Sequence, residues 1–170
     1  MPPKSTRLIT VSALLVAVML IIGYLENLVP TGVPGIKLGL SNSVLILAIY
    51  WFGIPIAFGL MALKVLLSGF LFSGVNAMMY AFAGGLLSMI VMSVLYKTKK
   101  YSPVTIAMAG AVFHNIGQVG LAMVILETSK LVYYMAILML VGLGTGFVTG
   151  TVARQLLKRT PEFLKQNSKD

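Results

Sequence analysis

The chain has no cysteine, a single histidine, a single tryptophan and only four acidic residues among 170. Without cysteine there is no thiol chemistry, no disulfide, no Cys-ligated zinc and no Cys-bound iron–sulfur cluster. The shortage of Asp and Glu excludes more. There is no paired-aspartate motif for magnesium–diphosphate chemistry and no phosphate-binding loop, and the carboxylates are too few for a hydrolytic or prenyl-transferring site. The sequence therefore does not predict an enzyme, nor any covalently bound cofactor. Coupling to an ion gradient lacks its usual membrane carboxylate, and the chain is too short for two transporter halves. A transport role would mean one subunit whose energy arrives from elsewhere.

Charge of any kind is scarce, 10% of residues against 58% hydrophobic, and the mean hydropathy is +0.96. A water-soluble fold would lack the polar surface to cover itself, so the composition predicts an all-α integral membrane protein. The net charge of +9 would suggest nucleic acid in a soluble protein. Here the basic residues flank apolar runs, and membrane topology with anionic lipid headgroups explains them without nucleic acid.

Breaks at 26–41, 53–55, 73–74, 96–102 and 127–130 leave six apolar segments, 8–25, 42–52, 56–72, 75–95, 103–126 and 131–157. The first is longer than a signal-peptide core and lacks a small-residue cleavage site, so it reads as a retained span. The second is short for a crossing. The expectation is a six-span helical bundle forming one transmembrane domain over 1–170, with basic tails at 1–7 and 158–170. With the N-terminus inside, Lys4, Arg7, Lys97, Lys99, Lys100, Arg154, Lys158, Arg159, Lys165 and Lys169 all fall on the cytoplasmic side. Lys37 and Lys130 fall outside and Lys64 lies within a span. This asymmetry predicts both termini in the cytoplasm, whereas a five-span count separates the basic clusters. Glu26 and Glu127 are expected to face outward, and no carboxylate is expected in a span.

Three groups of residues are candidates for function. The long outer loop 26–41 contains Pro30, Gly32, Pro34, Gly35 and Gly39, which predicts irregular, constrained backbone able to fold over a pocket as a lid. Within it Lys37 offers a cation to a carboxylate or phosphate, with Ser41 and Asn42 at the mouth of the second segment; headgroup anchoring and helix capping are the structural alternatives. Lys64 sits between Leu63 and Val65, where an ammonium costs several kcal/mol unless it is paired, wetted or snorkels to an interface. Ser68 lies one turn on. His114, Asn115 and Gln118 are the strongest polar constellation, fit to hydrogen-bond a heterocycle, quinone or carbonyl, or alternatively neighbouring helices. A lone histidine without carboxylate or cysteine is weak support for a metal. Asn76 and Tyr80, with Tyr133 and Tyr134, are placed by depth near the same cavity, and the tyrosines equally suit an aromatic belt. Two small-residue faces stand out: Gly142, Gly146 and Gly150, and Ala13 with Ala17. Each allows close helix approach, within the chain or to another subunit.

The stretches 34–42, 64–70 and 110–118 resemble the Gx transporter family, also labelled heptaprenyl diphosphate synthase component I. With Ala13 and Ala17, the folded outer loop and the span pattern, nearly the whole chain also resembles the S components of energy-coupling factor transporters. That resemblance implies a prokaryotic cell-membrane subunit that captures a small ligand from outside: vitamin-like, flavin-like, quinone-precursor or isoprenoid. It implies contacts from Lys37, Asn76, Tyr80, His114, Asn115 and Gln118, with Asn42 and Lys64 added from the residue reading. It implies docking through Ala13 and Ala17 to a transmembrane coupling subunit, with ATP used only by two cytoplasmic ATPases. The family also resembles an accessory membrane protein of flavin-based extracellular electron transfer, which leaves a non-catalytic accessory role in quinone or flavin electron transfer as the alternative.

Overall fold

The computed structural model describes residues 4–29, 37 and 39–159. The Pro/Gly-rich part of the outer loop at 30–36, the extreme N-terminus and the tail from 160 lie outside the described residues, as do the side chains of Lys4 and Arg7. Every element among the described residues is helical: α1 (Lys4–Asn27), α2 (Leu40–Ser43), α3 (Leu45–Phe52), α4 (Ile54–Ser68), a π-helical turn (Gly69–Ser73), α5 (Gly74–Lys97), α6 (Pro103–Ile125) and α7 (Leu131–Arg159).

Local chemistry sets the helix ends. Ser102 caps α6, its Oγ accepting from the Thr105 N–H at 3.2 Å, and Pro103 follows at the first helical position, where its missing N–H costs nothing. Gly53 and Gly74 adopt φ of 85° and 79°, which only glycine reaches freely, and there the chain changes direction.

Four stretches are long and apolar enough to cross a membrane: Leu8–Asn27, Ile54–Lys97, Pro103–Ile125 and Leu131–Arg159. This corrects the expectation of a six-span bundle in two places. The 42–52 segment belongs to the short apolar helix Leu40–Phe52, about 20 Å long at 1.5 Å per residue against a hydrocarbon core of about 30 Å. It is apolar because it is enclosed by protein, since Leu45, Ile46, Leu47, Ala48 and Ile49 are all buried. Segments 56–72 and 75–95 form one helical stretch of 44 residues, whose two limbs reverse at Gly74, where a φ of 79° leaves helical backbone for a single residue. That stretch doubles back on itself: a Cβ on Gly85 would stand 2.8 Å from Met61 Sδ, and one on Gly69 would stand 2.8 Å from Met78 Cβ.

Glycine brings the later helices into backbone contact. On α7 a Cβ on Gly146 would lie 2.6 Å from Met108 Cα, and one on Gly150 would lie 2.9 Å from Val104 Cα. The glycine stripe thus packs inside the chain, antiparallel against α6. Gly117 of α6 in turn meets Ala83 and Gly84 of α5. These contacts bring the end of α7, with Lys158 and Arg159, beside the Lys97–Lys100 turn. The end of α1 lies at the opposite end of the molecule, where the Tyr24 and Phe72 rings meet edge to face at 5.6 Å.

A buried polar cluster as candidate functional site

Glu26 closes α1 and is 3% exposed. Its Oε1 accepts from the Leu40 N–H at 2.7 Å and its Oε2 from the Ser41 N–H at 3.2 Å. The first amides of a helix have no partner within it, so a carboxylate from α1 caps α2 where the preceding Gly39 has no side chain to do so. Glycine is required at 39 on two counts. Its φ is 84°, and a Cβ would stand 2.9 Å from His114 Cδ2.

Asn42, on the turn that Glu26 caps, joins two residues remote in sequence. Lys64 Nζ donates to Asn42 Oδ1 at 2.8 Å. An ammonium can only donate, so the amide oxygen must face Lys64 and the NH₂ must face the other way. There Asn42 Nδ2 lies 2.7 Å from His114 Nδ1 and 2.9 Å from Nε2. An amide NH₂ can only donate as well, so the imidazole meets it with an unprotonated nitrogen and His114 is neutral in this arrangement. Lys64 is 4% exposed and ends on Asn42 rather than snorkelling to an interface.

Gln118 holds the outer segment through its backbone. Its Oε1 accepts from the Lys37 N–H at 3.2 Å, and its Nε2 donates to the Lys37 carbonyl at 2.6 Å and to Asn115 Oδ1 at 2.9 Å. Asn115 Nδ2 then donates to the Leu138 carbonyl at 2.6 Å, tying α6 to α7. The Lys37 side chain turns to the π-helical end of the α4 run, where Nζ donates to Ser73 Oγ at 2.6 Å and stands 5.1 Å from the centre of the Phe72 ring. Burial lowers the pKa of this ammonium, and the Glu26 carboxylate partly opposes the shift.

Six of the eight candidate ligand residues therefore meet in one place: Lys37, Asn42, Lys64, His114, Asn115 and Gln118. Asn76 is exposed on the first turn of α5, and Tyr80 is buried in a separate apolar cluster with Val119, Ala122 and Leu138. Ser68 spends its hydroxyl on the Val65 carbonyl at 3.1 Å. Ala13 and Ala17 are both exposed on α1. The expectation that no carboxylate lies in a span is corrected, since Glu26 falls within the apolar Leu8–Asn27 stretch and is buried. A signal for it existed, because it is the only acid in the first 126 residues. An apolar groove of about 310 Å³ is lined by Val65, Leu66, Met78, Met79, Phe82, Ala83 and Leu121, none of them a member of the cluster.

Helices of this length and apolarity, glycine-packed around a buried polar cluster, define a multi-pass, all-helical membrane protein. The chain belongs to the heptaprenyl diphosphate synthase component I family, whose model matches residues 15–156. No curated protein and no solved structure matches it.

Proposed function

We propose that this chain is the ligand-capturing membrane subunit of an energy-coupling factor type importer. It would take a small vitamin-like, flavin-like, quinone-precursor or isoprenoid ligand from the outer side. The observation that carries the reading is that two buried hydrogen-bonded groups, Lys64–Asn42–His114 and the Lys37 backbone with Gln118 and Asn115, share the His114–Gln118 stretch of α6. Buried polar side chains are expensive in a membrane, and a site that must recognise a ligand is a reason to keep them there.

In this reading the protein is not an enzyme. The family's name describes a synthase component, whereas the sequence has only four acidic residues and no paired-aspartate motif for diphosphate chemistry. A prenyl-transferring role would instead predict that a soluble catalytic partner gains activity when this protein is added. The Lys97–Lys100 turn and the end of α7 face the cytoplasm, as the positive-inside rule favours, with both termini on that side. The exposed Ala13 and Ala17 dock to a transmembrane coupling subunit, and two cytoplasmic ATPases consume the ATP.

The test is mass spectrometry of small molecules extracted from freshly purified protein, followed by binding measurements on His114→Ala and Gln118→Ala. A retained compound whose binding weakens in both variants supports the reading. Failure to retain any ligand, combined with failure to recruit a coupling subunit, removes it. An accessory role in electron transfer would instead show a stable membrane partner whose association survives His114→Ala.

A further inference from the structure

The buried charges do not balance. Among the described residues the buried acidic and basic side chains are Glu26, Lys37, Lys64 and His114, and the Asn42 amide fixes His114 as neutral. One carboxylate thus faces two ammonium groups. All three lie around the single turn of α2, with Glu26 on its Leu40 and Ser41 amides, Lys64 on its Asn42 and Lys37 three residues ahead of it. Glu26 commits one oxygen to each of the Leu40 and Ser41 amides and forms no direct ion pair with either lysine among the described residues. An uncompensated buried cation is costly in any fold and more so in a membrane.

The hydrogen-bond inventory singles out the same two residues. Gln118 has both its oxygen and its NH₂ engaged, and Asn115 likewise. Each ammonium, by contrast, has three protons to donate. Among the described residues Lys64 Nζ donates only to Asn42 and Lys37 Nζ only to Ser73.

Resting on the importer reading, we infer that the ligand carries an oxyanion, a carboxylate or phosphate group, that is bound through Lys64 and Lys37 and supplies the missing negative charge. Gln118 positions Lys37 through its backbone, and Asn115 braces Gln118.

The experiment uses the full chain in dodecyl maltoside and follows thermal unfolding with inorganic phosphate, acetate or phosphatidylglycerol, each against chloride at equal ionic strength. Phosphate or acetate at ten times its Kd should raise Tm by about 3–5 °C, and Lys64→Gln should lose the shift. Should Lys64→Gln fail to fold, Lys37→Gln, altered outside the long helices, carries the comparison. Glu26→Gln keeps an acceptor for α2 but doubles the surplus charge, so it should tighten phosphate binding by about tenfold, which simple destabilisation would not do. A shift with phosphatidylglycerol alone keeps the oxyanion site but assigns it to a lipid headgroup, and overturns the importer reading. No shift with any probe, or a shift unchanged in both lysine variants, overturns the oxyanion. Extraction of a neutral compound bound through His114 would overturn the oxyanion while leaving the importer reading intact.

Discussion

Glu26 and Gly39 are the residues on which the outer segment depends most directly. Replacing Glu26 with alanine leaves two helix amides unpaired, a loss of about 2–6 kcal/mol at about 1–3 kcal/mol for each, and takes the one carboxylate away from two buried lysines. Thermal unfolding in detergent should show Glu26→Ala far less stable than Glu26→Gln. Combining Glu26→Ala with Lys64→Met should recover part of the loss, because the second change removes one of the orphaned cations. Gly39→Ala meets both a left-handed φ and the edge of the His114 ring, at a cost of about 1–3 kcal/mol. Its signature is faster hydrogen exchange at the Leu40 and Ser41 amides than in the parent. The residue scale is also where sequence reading reached furthest, since polar side chains in an apolar chain announce themselves. Asn76 and Tyr80 mark its limit: depth along a helix was readable, but the direction in which each residue faces depends on neighbours that only the fold supplies.

At the scale of elements, the two small-residue stripes have opposite surroundings and should respond oppositely to enlargement. Gly146→Leu drives a side chain into the α6 backbone at Met108 and should destabilise the protein severely, whereas Gly144, which has open space around it, should tolerate the same change. Circular dichroism melts of the two variants make the comparison. Ala13→Leu should leave the melt unchanged, being exposed, and on the importer reading should abolish recovery of a coupling subunit in a mild-detergent pull-down. Element boundaries were largely legible, because Gly53, Gly74, Ser102 and Pro103 carry local signals that need no tertiary context. Whether a segment crosses the bilayer was not. Leu45–Ile49 is as apolar as any lipid-facing run, and hydropathy does not distinguish burial in lipid from burial in protein.

For the whole molecule, the missing cysteines become an advantage. Single cysteines at Lys99 and Ser129 start from a background without thiols and permit labelling by a membrane-impermeant maleimide. On the proposed orientation Ser129→Cys should react in intact cells and Lys99→Cys only after permeabilisation; the reverse pattern would invert the topology. The clustering of Lys97, Lys99, Lys100, Lys158 and Arg159 at one end follows from the antiparallel packing of α6 and α7, so orientation rests on charge and helix packing together.

Glu26 and Asn42 both act through the single turn of α2, and this joins two events that need not have been joined. A displacement of that turn would part Gly39 from the His114 ring and Asn42 from Lys64 together. On the importer reading, opening toward the outside and exposure of the central ammonium would then be a single event.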